Sequence, residues 1–476
     1  MRYPTQLFIN GKNCGAAGGQ MLAVINPATE ATLCETCAAT PSDVAIAVAG
    51  AQTAFEKSWR DCPPGRRAEI MFQIARVLRE HAEELSQLES LSIGKPISDA
   101  RDEIAMGART FEYYAGAISR FCGQTIPVAR GGFDFVLRQP MGVVAAIVPW
   151  NFPFPIAAWK VAPALAAGNA VVLKPARQSP LTALRLGELA AEAGLPDGVL
   201  QVLSGSGTEM GDALVTHPLV RKISFTGLTV VGSRIMQLAA RDIKRVSLEL
   251  GGKSPNIIFA DADLAKAAAT APMSVFANTG QDCCARSRVF VERAVFDQFV
   301  ELFVAATNQI IVDDPAKTET QVGPLVSSAQ RELVEGYLQS VRTPRHQIVC
   351  GGDRPARKGY YLNPALVLGC ETSDRAWREE IFGPVACIRP FDREEDMLAE
   401  VNASPYGLSG SLWTNDLKRA LRVARRVESG VLSVNCHNSV HVEAPFGGFK
   451  QSGLGRDLGM SAMEGCTELK NVYIAE

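Results

Sequence analysis

Between residues 65 and 92 apolar side chains recur at helical spacing. In GRRAEIMFQIARVLREHAEELSQLESLS, Leu78, Leu85, Leu88 and Leu91 follow a 3.6-residue period, so the stretch predicts helix, and the first 120 residues read as mostly helical. The pattern breaks at 122–140. CGQTIPVARGGFDFVLRQP holds two strand-like runs around a Gly-Gly pair and predicts a β-hairpin.

From Met141 onward two kinds of segment alternate. MGVVAAIVP, NAVVLKP, GVLQVLSG and VRKISFTG are short apolar runs that predict strands. PIAAWKVAPALAAG, SPLTALRLGELAAEAG, TEMGDALVTH and VVGSRIMQLAARD follow them in turn and predict helices. Short strands joined by helices imply βαβ units, a parallel sheet and a nucleotide-binding layer. A second alternating region, about 255 to 440, predicts another α/β domain. The tail, TELKNVYIAE, carries a strand-like run that can pair outside its own domain.

Composition narrows the class. A chain of 476 residues is too long for one ordinary core, so two or three domains are expected. Apolar residues make up 47% and charged residues 21%, the balance of a globular chain. A formal net charge of -2 implies no general attraction to nucleic acid or to a membrane surface. Apolar runs such as MGVVAAIVPW fall far short of a membrane span. MRYPTQLFING lacks the apolar core of a signal peptide and reaches a turn signal at Asn10-Gly11, so a cytoplasmic location is expected. The 12 cysteines are scattered, and Cys34 and Cys37 form a CxxC without a second pair at zinc spacing. They read as two thiols near a strand. With five histidines, and His437 and His441 spaced as HxxxH but without the glutamate of HExxH, no metal site is expected.

Two stretches carry candidate chemistry on their own. NTGQDCCARSR, residues 278–288, contains the adjacent Cys283 and Cys284, which could be a packed pair or a nucleophile in a shaped loop. GSGTEMG places Gly205, Gly207 and Gly211 in a GxGxxxG spacing, which is either a plain turn or a dinucleotide loop between strand and helix.

PWNFP (149–153), SLELGGKSP (247–255), EEIFGPV (379–385) and PFGGFKQSG (445–453) add to GQDC a set that resembles the aldehyde dehydrogenase superfamily. The resemblance runs over essentially the whole chain, in order. It implies an α/β fold with a Rossmann-like cofactor domain (1–121 and 141–250), an α/β catalytic domain (251–440) and a small β oligomerisation element (122–140 and 460–476), assembled as a homodimer or homotetramer.

It also implies oxidation of a small-molecule aldehyde with NAD or NADP. An aldehyde carbon has no electron pair with which to expel hydride, so a nucleophile must add first. Cys283 matches that nucleophile, and Cys284 falls where the family pattern allows many residues. Asn151 matches the oxyanion donor, beside the backbone N–H of Cys283. Glu249 matches the base that activates water against the thioester. Lys160 and Asp457 match the polar residues leading away from that base, with Asp457 where glutamate is common. The cofactor residues implied are Trp150, Lys174, Arg177, Gly207, Phe225, Thr226, Gly227, Gly232, Leu250, Glu380 and Phe382. The substrate pocket implied is Phe152, Trp159, Asp282 and Phe446.

Two departures from the pattern, and the acid beside the nucleophile, matter. After FTG the family usually has serine and, two residues on, glutamate; here they are Leu228 and Val230, which removes a hydroxyl contact to the pyrophosphate. Arg177 stands where NAD-preferring members carry glutamate, which favours NADP through a 2′-phosphate contact. Asp282 beside the nucleophile suits an ω-aminoaldehyde if its carboxylate faces the pocket. If it instead binds backbone or pairs with Arg286 or Arg288, the pocket suits neutral aromatic or aliphatic aldehydes; an acidic semialdehyde would need one of those arginines turned inward. Two alternatives to this activity are a catalytically silent protein on the same fold and a coenzyme-A-acylating enzyme. The second typically lacks the glutamate present here as Glu249.

Overall fold

The computed structural model describes residues 2–437 and 440–475. Its first sheet has eight strands in the order Lys12–Cys14, Leu7–Ile9, Leu200–Val202, Ala170–Lys174, Val143–Ile147, Val220–Thr226, Arg245–Glu249 and Gly453–Leu454. The five central strands are parallel. Side chains alternate across the sheet: Val144, Ala146, Val171 and Leu173 enter one apolar core, while Val143, Ala145, Ala170 and Val172 enter the other. Burial on both faces is why these strands read as continuous apolar runs.

The register sets up the site. Ile147 pairs with Lys174 and Phe225, and Thr226 pairs with Glu249, so the carboxyl ends of four strands form one row. From Val143–Ile147 the chain runs outward to Ala170–Lys174 on one side and to Val220–Thr226 on the other. This reversal of strand order opens a crevice at the carboxyl edge, the usual ligand position in such sheets.

The second sheet has seven strands, in the order Gln347–Cys350, Ala365–Leu368, Val385–Phe391, Arg288–Glu292, Pro255–Ile258, Ser409–Trp413 and Val431–Val434. All pairs but the first are parallel, and apolar cores cover both faces. A third sheet joins the hairpin Gln124–Ile126/Phe133–Pro140 to the tail strand Thr467–Ile474. Gly131 and Gly132, at φ 75° and 87°, make the turn. The tail pairs with the hairpin along its whole length, from Thr467 opposite Pro140 to Ile474 opposite Phe133.

The mostly helical reading fails at the amino end. Residues 7–37 form two hairpins, Leu7–Ile9 with Lys12–Cys14 and Met21–Asn26 with Ala31–Cys37. Asn10 and Gly11, at φ 51° and 77°, close the first. Its strands are three residues long, too short to show an alternation. Cys34 and Cys37 are free thiols on Ala31–Cys37. Helix follows from Pro41, and the leucine-rich stretch becomes two helices, Pro64–Glu80 and Ala82–Ile93, meeting at His81. Among the described residues no helix is long and apolar enough to cross a membrane.

Candidate active site

The cysteine loop begins where the helix Leu264–Phe276 ends. Asn278, Thr279 and Gly280 then adopt left-handed backbone in succession, at φ 49°, 60° and 69°. Such backbone is unfavourable for the first two residues. Side chains hold it in place. Gln281 Oε1 accepts from Val326 N at 2.8 Å, and its Nε2 donates to Asn278 O at 3.1 Å. Thr279 Oγ1 donates to Gly323 O at 3.0 Å. Gly280 is needed sterically too, because a Cβ there would lie 2.2 Å from Gly383 O. The Gly-Gln of GQDC therefore shapes the loop. Its outcome separates the two cysteines: Cys284 is 6% exposed and belongs to the apolar core, whereas Cys283 is half-buried beside it.

Cys283 lines a cavity of about 340 Å³. Phe152, Trp159 and Phe446 form its aromatic wall, with the Trp159 and Phe446 rings 5.3 Å apart. Glu249 and Thr226 line it as well. Asn151 is fixed next to the cysteine loop: its Nδ2 donates to Gln281 O at 2.9 Å, and its carbonyl accepts from Asn278 Nδ2 at 2.8 Å and Lys95 Nζ at 2.9 Å. Contact with the Cys284 thiol and then burial push the Cys283 thiol well above its ordinary range, with Asp282 and Glu380 adding to the effect.

Glu249 ends the strand Arg245–Glu249 and is buried, and both carboxylate oxygens lack a hydrogen-bond partner. Burial raises its pKa well above the carboxyl range; the charge of Asp457 raises it further, while Lys160 and Arg456 oppose the shift. Gly447 makes room for it, since a Cβ there would lie 2.5 Å from Oε1. Lys160 Nζ donates to Asp457 Oδ2 at 2.8 Å and to Ser224 Oγ at 3.2 Å. Asp457, though shorter than glutamate, still reaches the lysine, because its backbone pairs with Phe446 in both directions.

Asp282 turns to backbone. Its Oδ1 accepts from Cys284 N at 2.8 Å, and burial raises its pKa. It has no hydrogen bond to either arginine. Arg286 donates to Ser411 Oγ at 3.2 Å and Cys284 O at 3.0 Å, and Arg288 to Lys253 O at 2.9 Å and Val401 O at 3.3 Å. Asp282 and Arg286 nevertheless both line the cavity, as do Asp99, Asp102 and Glu103.

A second cleft, of about 860 Å³, runs along the carboxyl edge past Leu228, Val230, Leu250 and Glu380. The cleft and the sequence-implied residues outside its lining have features that fit a dinucleotide. Thr226 Oγ1 is buried without a partner, and a Cβ at Gly207 would meet nothing within 4 Å. Gly232 permits close helix–strand approach, as a Cβ there would lie 2.6 Å from Leu250. Gly227 lies against the Phe225 ring, where a Cβ would approach to 2.6 Å. Lys174 is buried, and burial lowers its pKa to about 8. Glu380 Oε1 accepts from Gly252 N at 3.0 Å, and burial raises its pKa to about 7. Phe382 has φ 55° and meets Trp150 edge-on at 5.3 Å. Arg177 is exposed. Leu228 and Val230, 61% and 73% exposed, give the cleft an apolar lip in place of the hydroxyl and carboxylate.

Sequence reasoning missed Lys95. It is fully buried, pairs with Glu103, holds the Asn151 carbonyl and sits 4.1 Å above the Phe152 ring. It also missed Asn278. Neither sits at a spacing that signals its role; each matters through partners distant in the chain.

The aldehyde dehydrogenase family model matches residues 15–472. A putative aldehyde dehydrogenase, DhaS, of Bacillus subtilis is 42% identical over 471 residues, covering 98% of this chain and 95% of its own. Phenylacetaldehyde dehydrogenase of Pseudomonas fluorescens is 41% identical, covering 100% and 97%. The indole-3-acetaldehyde dehydrogenase AldA of P. syringae, solved as a mutant in complex with NAD+ and IAA, superposes with TM-score 0.98 at 40% identity, covering 100% and 97%.

Proposed function

Because the chain belongs to the aldehyde dehydrogenase family, we propose that its two cavities divide one reaction between them. The protein is an NAD(P)-dependent enzyme that oxidises an aldehyde to the carboxylic acid, and it binds NAD+. The assignment of residues to steps is our reading. One observation carries it: Cys283, Thr226 and Glu249 line the aldehyde cavity, and Thr226 lies at the strand edge that bounds the dinucleotide crevice.

Cys283 Sγ adds to the aldehyde carbon after losing its proton to solvent water. The resulting oxyanion is received by the Cys283 N–H and by Asn151 Nδ2, which exchanges the Gln281 carbonyl for it. When bound, the nicotinamide supplies the hydride acceptor. Lys174, Glu380 and Phe382 would hold the cofactor, and the buried, unpartnered Thr226 hydroxyl would be free to bond it. A thioester remains on Cys283. Glu249 takes a proton from water, and the hydroxide attacks the thioester carbon. The acid leaves, and the thiolate regains a proton. An unpaired buried carboxyl with a raised pKa suits a group that must cycle between acid and base near neutral pH. Lys160 and Asp457 set the field around it.

The substrate class best supported is a neutral aromatic or aliphatic aldehyde. The wall is aromatic, and the Asp282 carboxyl is engaged by Cys284 N. A second reading, an ω-aminoaldehyde, has its own support in Asp99, Asp102 and Glu103 around the same cavity. NADP is used as well as NAD; an exposed arginine near Lys174, where a carboxylate would repel phosphate, supports this. The three larger sheets of the five support the division into cofactor domain, catalytic domain and oligomerisation element, although Gly453–Leu454 joins the first sheet from outside the assigned range. Exposed Phe133, Leu137, Leu469, Tyr473 and Ile474 on the third sheet support a homo-oligomer built through it.

The test is kcat/KM for benzaldehyde, hexanal, 4-aminobutanal and succinic semialdehyde with each cofactor, in wild type and Asp282→Asn. The proposal expects benzaldehyde or hexanal to lead and Asp282→Asn to change them little. A leading aminoaldehyde that loses efficiency in Asp282→Asn moves the assignment to the second reading. No turnover of any aldehyde refutes the reading of the site.

A further inference from the structure

Asp282, Cys283 and Cys284 bring one carboxylate oxygen and two sulfurs together, all within 4.8 Å of one another. We infer that these three side chains form a binding site for a thiophilic divalent cation, zinc or cadmium, which occupies the mouth of the nucleophile and blocks the aldehyde.

The donor set is the first argument. Two thiolates and a carboxylate match the softness of zinc and cadmium, whereas magnesium and calcium take oxygen ligands. Zinc–sulfur bonds of about 2.3 Å in a tetrahedron set ligand atoms roughly 3.5–4 Å apart, so the observed spacing closes with a small side-chain rotation. Cys283 and Cys284 are neighbours in a loop whose backbone is fixed by Gln281 and Thr279, so the pair is preorganised. All three residues line the cavity, so water from it can take the fourth position.

The surroundings are the second argument. Glu249, buried with both oxygens unpartnered, lines the same cavity, as do Asp99, Asp102 and Glu103. The nearby cations have other engagements: Lys95 pairs with Glu103, and the Arg286 guanidinium donates to Cys284 O and Ser411 Oγ. A dication entering here meets carboxyl groups on several sides of the cavity. On binding, both thiols release their protons, and the ion is held by two thiolates, one carboxylate and one water. Binding does not depend on the dehydrogenase reading; inhibition does, through Cys283.

The experiment is a titration of the reduced full-length protein with cadmium, followed by the thiolate-to-cadmium absorption band, with zinc as competitor. The expected result is a 1:1 site whose band is lost in Cys283→Ser and in Cys284→Ser, with affinity about 10–100-fold weaker in Asp282→Asn. If Cys284→Ser does not fold, wild type carboxamidomethylated at Cys283 replaces it and must also lose the band. A band that persists undiminished in these proteins assigns the metal to other cysteines and overturns the inference, as does the lack of any 1:1 band. In zinc-buffered assays, inhibition competes with the aldehyde and weakens at least about tenfold in Cys284→Ser. Full zinc sensitivity in that variant also overturns it. A cadmium site with the expected cysteine dependence but no inhibition leaves the metal site standing and removes Cys283 from the chemistry.

Discussion

Lys160 Nζ lies 2.8 Å from Asp457 Oδ2, an ion pair with both side chains buried between the first sheet and the loop that carries Phe446. Two charges on opposite elements thus flank Glu249, one on each side of its proton equilibrium: Asp457 raises its pKa and Lys160 lowers it. Asp457→Asn should leave the ammonium dominant. The pH at which deacylation switches on then moves down, because Glu249 becomes an effective base at lower pH. The variant also loses stability, about 3–5 kcal/mol by analogy with other broken buried pairs, since Lys160 is left unpaired. A kcat–pH profile with thermal melts checks both. A profile that stays in place excludes Asp457 from the field of the base.

Cys283→Ala should lower dehydrogenase and esterase turnover by several orders of magnitude, because Cys283 is the more exposed of the two thiols lining the cavity and the proposed thioester carrier. Cys284→Ala should retain most of both and lose only modest stability from a small core cavity. Full loss confined to Cys284→Ala would put the nucleophile at the second cysteine.

Glu380 gives the cofactor site a pH dependence. Burial raises its pKa to about 7, so its carboxylate fraction falls as pH drops through neutrality. A protonated carboxyl accepts ribose hydroxyls less well, so KM for NAD+ should rise as pH falls below about 7 and level off above it. In Glu380→Gln the same KM should be higher and nearly independent of pH over this interval. A wild-type KM that is flat from pH 6 to 8, by steady-state kinetics at saturating aldehyde, contradicts this role.

Arg177→Glu should lower kcat/KM for NADP by at least about tenfold, roughly 1.4 kcal/mol, while NAD is unaffected or improved. Equal efficiency with NADP before and after the change would show that the guanidinium stays in solvent.

How far the sequence carries depends on the length of each pattern. The strands Val143–Ile147, Ala170–Lys174 and Val220–Thr226 are buried on both faces, so each appears as an unbroken apolar run followed by a helix, and their alternation is legible. The strands Leu7–Ile9 and Lys12–Cys14 are too brief to show a period, and the helical reading covered them by default. GQDC and LELGG pointed to Cys283 and Glu249 because the resemblance preserves their order. Nothing in either motif indicated that Asp282 would turn to Cys284 N, or that Lys95 would cross to the Asn151 carbonyl; both follow from chain segments that meet only after folding.

The most direct test of the divided reaction is rapid mixing of Glu249→Gln with aldehyde and NAD+. If Glu249 activates water after hydride has left the substrate, the variant should release a burst of reduced cofactor stoichiometric with active sites, and its steady-state rate should then fall by roughly 10²–10⁴-fold. An unchanged steady-state rate would remove Glu249 from deacylation. Loss of the burst itself, in a folded variant that still binds NAD+, would place Glu249 in the first half of the reaction and contradict the account.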